Sequence, residues 1–300
     1  MRTDTTVEPS SIHRRHAATV FLTDVQPDGS DGFVAAAILP DGHAYYSAHT
    51  APANRRLDPM LVLETCRQAH NYLAHTYFEV EADAAFILNR FSLRVAPDAY
   101  TLMPAVGDGL LRMTLPAPTP QLLGRRTRGL APSFALSLDG TPIGESDMTV
   151  GYLSAAAYRA LRTRHRGGAL ITSDDLPPAD RTGAVAPAIV GRIRDADVLL
   201  ADLAGDRARL LVPVEHTGLF DHPLDHIPGT LFIEAARQFA TALSPPSMIM
   251  TSMNATFHAF AELDAPVSLT AVTRGGEIVV DACQAGRAVA TVAVALLPVR

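Results

Sequence analysis

The chain has little of several things that would announce a function early. Its 300 residues contain two cysteines and no lysine, and 25 arginines stand against 31 aspartates and glutamates. Cys66 and Cys283 lie far apart in sequence, which leaves neither a zinc spacing nor a disulfide framework, and both are expected to be packing residues under reducing conditions. A net charge of −6 denies the basic surface that phosphate neutralisation demands, and the run His13-Arg14-Arg15-His16 is too short to supply one. No nucleic-acid partner is therefore expected. No apolar run reaches the roughly eighteen residues of a spanning helix, so no membrane association is expected either. The leader MRTDTTVEPSS has acids and no apolar segment, and reads as a short disordered tail rather than a secretory signal. The GxSxG elbow of serine hydrolases is missing, and Ser244 and Ser247 stand in a Pro-rich loop. A cytoplasmic location is the expectation that remains.

What is present is written twice. Apolar residues make up 48% of the chain, enough to bury the cores of two ordinary domains. Residues 58–68, DPMLVLETCRQ, match residues 228–238, PGTLFIEAARQ, with Leu61 facing Leu231, Glu64 facing Glu234, Arg67 facing Arg237 and Gln68 facing Gln238. Alternating, β-branched stretches flank each copy: 18–24 and 33–39 before the first, 193–201 and 208–214 before the second. Further strands are expected after the helices, at 85–95, 109–115, 133–138 and 143–152, then 249–261, 266–273, 277–282 and 288–297. One central helix among antiparallel strands, spelled out twice, predicts an α+β double hot-dog: two antiparallel sheets, each wrapped around a central helix. The expected division is an N-terminal hot-dog domain over 1–160, a Gly- and Pro-rich linker over 161–186, and a C-terminal hot-dog domain over 187–300.

The second helix start is the most informative stretch. Pro228 and Gly229 precede the apolar run, so the helix is expected to begin near Gly229 with free backbone amides and a positive dipole end suited to a developing oxyanion. Glu234 falls on the inward side of that helix, with Arg237 and Gln238 on neighbouring patches. A plainer reading stands beside this one, in which Glu234 and Arg237 are a helix ion pair on a solvated face. Three histidines, His216, His222 and His226, crowd the preceding loop with Asp221 and Asp225. Their spacing fits no structural zinc pattern and no second ligand cluster is visible, so no metal is expected; a plainer reading has the Asp–His pairs holding a turn. His49 and His70 are further candidates of the same ambiguous kind. The first helix start differs, having Asp58-Pro59 in place of Pro228-Gly229.

The segment LFDHPLDHIPGTLFIEAARQ, with HRRHAATVFLTD and LDPMLVLETCRQ upstream, resembles the A-factor biosynthesis (AfsA-type) γ-butyrolactone synthases of actinobacteria, over nearly the whole chain from about Ile12. More distantly, the PG-x-x-x-x-E-A-x-x-Q part is similar to hot-dog β-hydroxyacyl carrier-protein dehydratases, whose helix glutamate falls here on Glu234 and whose loop histidine reaches His222 only across a gap of two. The resemblance implies an acyltransferase that moves a β-ketoacyl group from an acyl carrier protein thioester to a hydroxyl of dihydroxyacetone phosphate. The resulting ester leads to butenolide, furan or γ-butyrolactone signals, autoregulators of secondary metabolism and antibiotic production. It implies no cofactor. On that reading Glu234 or Glu64 is the base, Gly229 serves the oxyanion, and His222 assists. Arg237, Arg67, Gln238, Gln68, His226 and Asp225 then bind substrate. A thioesterase, a dehydratase and a non-catalytic acyl-binding protein are the alternatives.

Overall fold

Alternation of apolar and polar residues builds the strands, and two long, largely buried helices give them something to wrap. The computed structural model describes residues 5–29, 31–49, 57–103 and 107–298. They gather into two compact units, Met1–Gly42 with Asn54–Ala169, and His43–Ala53 with Leu170–Arg300.

In the first unit the strands are β1 (Leu22–Pro27), β2 (Gly32–Leu39), β3 (Ala85–Val95), β4 (Gly109–Pro116), β5 (Gln121–Leu123), β6 (Arg126–Leu130), β7 (Ser133–Leu138) and β8 (Thr141–Leu153). The helices are α1 (Pro59–Tyr77) and α2 (Ala155–Arg166). The sheet runs β1-β2-β4-β7-β8-β3, antiparallel throughout, and β5 and β6 form a hairpin beside β8. Helix α1 packs on β1, β2 and β3 and is buried on most of its circumference, Pro59 through Cys66 without a break. Burial pushes the Cys66 thiol up to about 12, so it is an inert packing group.

The second unit repeats the plan. Its strands are β9 (Leu200–Ala204), β10 (Arg207–Leu210), β11 (Met248–Phe257), β12 (Val267–Arg274), β13 (Glu277–Gln284) and β14 (Arg287–Pro298) around helix α3 (Gly229–Leu243). The order is β9-β10-β12-β13-β14-β11, the same path as in the first unit element for element. Leu231, Ile233, Phe239 and Ala240 of α3 are fully buried, and the helix packs on β11, β13 and β14. Each unit is thus a hot-dog: one sheet and one enclosed helix.

Three expectations need correction. Residues 18–24 and 193–201 do not start as strands: 3-10 turns Ala17–Thr19 and Asp195–Asp197 occupy them, and pairing begins only at Leu22 and Leu200. Both shifts have one cause, because a helix glutamine takes the backbone groups there, as described below. The β5–β6 hairpin was not expected, whereas the short Ala- and Arg-rich helical piece expected at the start of the connection is present as α2, which Gly167, at φ 73°, stops. The described part of the leader is not a loose tail: Val7 N–H donates to Leu22 O at 3.0 Å, and Pro9–Ile12 form a 3-10 turn.

Candidate active site

The second unit assembles one polar clasp from four places in sequence: Tyr45, Arg192, the stretch 197–199 and helix α3. Glu234, on the second turn of α3, is wholly buried. Arg237 lies one turn on and donates from Nε to Oε2 and from Nη2 to Oε1, both at 2.8 Å. Arg192, wholly buried too, follows the 3-10 turn Pro187–Val190 and donates from Nε to Oε1 at 2.9 Å. Its Nη1 donates to Tyr45 O at 3.0 Å, and its guanidinium carbon lies 4.5 Å from the centre of the Tyr45 ring. Gln238 donates from Nε2 to Glu234 Oε1 at 2.7 Å and to Asp197 O at 2.8 Å, while its Oε1 accepts Leu199 N–H at 2.8 Å. Burial alone pushes the Glu234 carboxyl up; the Arg192 and Arg237 guanidiniums overcome that and hold it at about 2.

The first unit carries the same clasp. Arg67 donates to both oxygens of Glu64 at 2.9 Å, Arg14 reaches Oε1 from Nη2 at 2.6 Å, and Gln68 Nε2 donates to Oε1 at 2.6 Å and to Thr19 O at 2.8 Å. Gln68 Oε1 accepts the amides of Phe21 and Leu22, which is why that stretch turns before it pairs. Against burial, Arg14 and Arg67 hold Glu64 at about 2 as well.

The helix starts differ. At α1 the Asp58 side chain accepts Met60 N–H at 2.8 Å, a filled N-cap. At α3 the N-cap is Pro228, with no side-chain cap, so the first amides of that helix face the loop before it. That loop is pinned. His216 Nε2 donates to the buried Asp197 at 2.9 Å while its Nδ1 accepts Gly218 N–H at 3.1 Å, and His216 O accepts the amides of Leu219 and Phe220. Leu224 is tied through backbone and side chain to Ser173, and Ile227 N–H donates to Ala261 O at 2.9 Å. Between these pins lies His222, a third exposed, with Nδ1 3.7 Å from the buried Asp221 carboxylate. That nitrogen is buried and has no hydrogen-bond partner among the described residues.

A family model, the A-factor biosynthesis hotdog domain (AfsA), matches residues 1–154 and 174–299. The chain belongs to the AfsA family. Relatives of this AfsA-family chain are 2-oxo-3-(phosphooxy)propyl 3-oxoalkanoate synthases. The one from Streptomyces virginiae is 32% identical, over 87% of this chain and 85% of that protein. The one from Streptomyces coelicolor is 30% identical, over 88% and 81%. In fold it is similar to the 12:0-ACP thioesterase from Umbellularia californica (TM-score 0.53, 11% identity, 88% of this chain and 97% of that one). An acyl-ACP thioesterase from Bacteroides thetaiotaomicron is similar too (TM-score 0.53, 12% identity, 88% and 98%).

Within the AfsA-family chain, Glu234, Arg237 and Gln238 meet in one clasp and Glu64, Arg67 and Gln68 in another. With both oxygens engaged and the pKa near 2, neither carboxylate is placed to accept a proton from an alcohol at neutral pH, the base role expected of one of them. Gly229 opens α3 as expected. Asp225 and His226 pair with each other at 2.7 Å, and His226 stacks edge-on with Phe260. His70 is buried against Tyr152 Oη at 2.7 Å, which lowers its pKa to about 4 through burial. Among the described residues no group of three or more His, Cys, Asp or Glu could hold a metal ion. Sequence reasoning missed Arg14 and Arg192, although each follows a Pro-initiated turn, PSSIHR and PAIVGR. They stand 50 residues before Glu64 and 42 before Glu234, so a single offset never aligns them. Tyr45 and Asp197 were missed as well.

Proposed function

We propose that this chain is an acyltransferase that makes a 2-oxo-3-(phosphooxy)propyl 3-oxoalkanoate. It moves a β-ketoacyl group from an acyl carrier protein thioester to the hydroxyl of dihydroxyacetone phosphate in the cytoplasm, within biosynthesis of a γ-butyrolactone-type signal. The observation that carries the site assignment is the uncapped start of α3, facing a pinned loop whose His222 keeps a buried, unpartnered nitrogen next to Asp221.

The roles follow from that arrangement. His222 takes the proton of the attacking hydroxyl on the exposed side of its ring, and Asp221, beside the buried Nδ1, steadies the imidazolium that forms. The alcohol oxygen bonds to the thioester carbonyl carbon, whose oxygen becomes negative against the Gly229 amide and the α3 dipole. The carbon–sulfur bond then breaks, the ester is released, and His222 returns the proton to the leaving thiolate. Glu234 keeps Arg237 and Arg192 in place rather than acting as the base. Arg237, His226 and Asp225 line the substrate side, the guanidinium serving the phosphate. The matching clasp of Glu64, Arg67 and Gln68 holds the first unit, whose helix start is filled by Asp58.

Purified protein given a β-ketoacyl carrier-protein thioester and dihydroxyacetone phosphate yields the phosphorylated ester by mass spectrometry, and His222→Asn lowers kcat about 10²- to 10⁴-fold. Release of free acid alone, unaffected by the phosphate acceptor, would mark a thioesterase instead. A His222→Asn enzyme with wild-type kcat would remove the histidine from the chemistry.

A further inference from the structure

The base of the β5–β6 hairpin, Gly129 and Leu130, is buried, but its tip, residues 121–126, is exposed throughout and adds nothing to the core. It hangs from β8 by two pairings, Gly129 with Gly151 and Leu130 with Val150, and turns at Gly124, φ 63°. Leu122 and Leu123 are adjacent and therefore point to opposite faces, yet they are 60% and 68% exposed, so both faces of β5 are wet. Opposite them stand Arg126 and Thr127, with Arg125 at the turn and Arg128 beyond. Arg126 has a loose, exposed contact with Glu81 at 3.7 Å. From Gly109 to Leu138 the chain contains Arg112, Arg125, Arg126 and Arg128 and no acid, within a protein of net charge −6. Two exposed leucines on an edge strand carry an aggregation cost unless something covers them in use.

We propose that this hairpin is the docking element for the acyl carrier protein, with the arginines meeting an acidic carrier surface and Leu122 and Leu123 packing into an apolar spot on it. The proposal rests on the acyl-transfer reading and deepens it by naming the partner surface. Charge complementarity selects this occupant. A second copy using the same patch sets arginines against arginines, which opposes a two-fold contact. An anionic bilayer is a poorer match, because three cations and two leucines fall short of a stable anchor on a chain that is itself acidic. Docking of this kind acts on encounter and is screened by salt.

The test compares one acyl group on two carriers, the carrier protein and a free pantetheine thiol, for wild type and Arg125→Glu/Arg126→Glu. The expected result is a rise of about tenfold or more in KM for the carrier-protein thioester, a flattened salt dependence, and unchanged kinetics with acyl-pantetheine. Leu122→Ser/Leu123→Ser raises the same KM without altering the salt slope. Equal KM values for variant and wild type on the carrier protein overturn the docking proposal and leave the transferase reading standing. Turnover of neither thioester by wild type retires both. Binding of wild type to phosphatidylglycerol vesicles, lost in the charge-reversal variant while carrier-protein kinetics stay the same, reassigns the hairpin to a membrane surface and overturns the proposal.

Discussion

Glu234 stays ionised with no solvent exposure because two guanidiniums and a carboxamide surround it, and Glu64, which is nearly as buried, is held by the same set of groups. An anion held this way is a strut. Replacing Glu234 with glutamine leaves the wholly buried Arg192 without its counter-charge, which costs about 3–5 kcal/mol, and Glu64→Gln costs less because Arg14 and Arg67 keep partial access to water. We expect Glu234→Gln and Glu64→Gln each to lower the denaturant midpoint clearly. A Glu234→Gln enzyme with wild-type stability and no turnover would instead restore the general-base role. At this scale the sequence was half legible. The ExxRQ string named three members of each clasp, because spacings of three and four on a helix bring residues together by geometry alone. Arg14 and Arg192 arrive from other elements, and no local period encodes that meeting.

At the scale of elements, the two helix starts explain why a duplicated fold need not have duplicated chemistry. Asp58 fills the α1 amide end and is structural; Asp58→Ala is expected to cost about 1 kcal/mol of stability in a thermal melt and leave kcat alone. A large loss of kcat from that change would place the active helix start in the first unit. The strands were largely readable from period-two alternation, β4 and β12 most clearly. Boundaries failed at β1 and β9 in the same way, since Gln68 and Gln238 take the backbone groups that ladder partners would otherwise use. The β5–β6 hairpin escaped notice because Leu-Leu-Gly-Arg-Arg has no alternation to read.

For the whole molecule, the buried ionisable groups set an acid-stability profile with two limbs. Folding lowers the pKa of His70 to about 4, so the unfolded chain binds more protons below its ordinary range and stability begins to fall as the pH drops below about 6.5. Both clasp glutamates sit at about 2 when folded, so their contribution is complete above pH about 4.5 and drains away as the pH falls towards 2. Denaturant melts across pH 7 to 3 are expected to show both limbs, with His70→Gln removing the upper one. A profile flat to pH 4 in the wild type would contradict the buried, neutral assignment of His70.

The sequence by itself determined the family, the doubled sheet-and-helix plan and the two helix starts, all of which are written in short-range spacing. Only the tertiary structure decided that Arg192 crosses from a turn to Glu234, that Tyr45, 147 residues from Arg192, supplies its carbonyl, and that His222 keeps an unpartnered nitrogen beside Asp221. Those contacts join segments across loops of unequal length. Their partners are chosen by burial, where an ionised group must find its counter-charge, and not by any period along the chain.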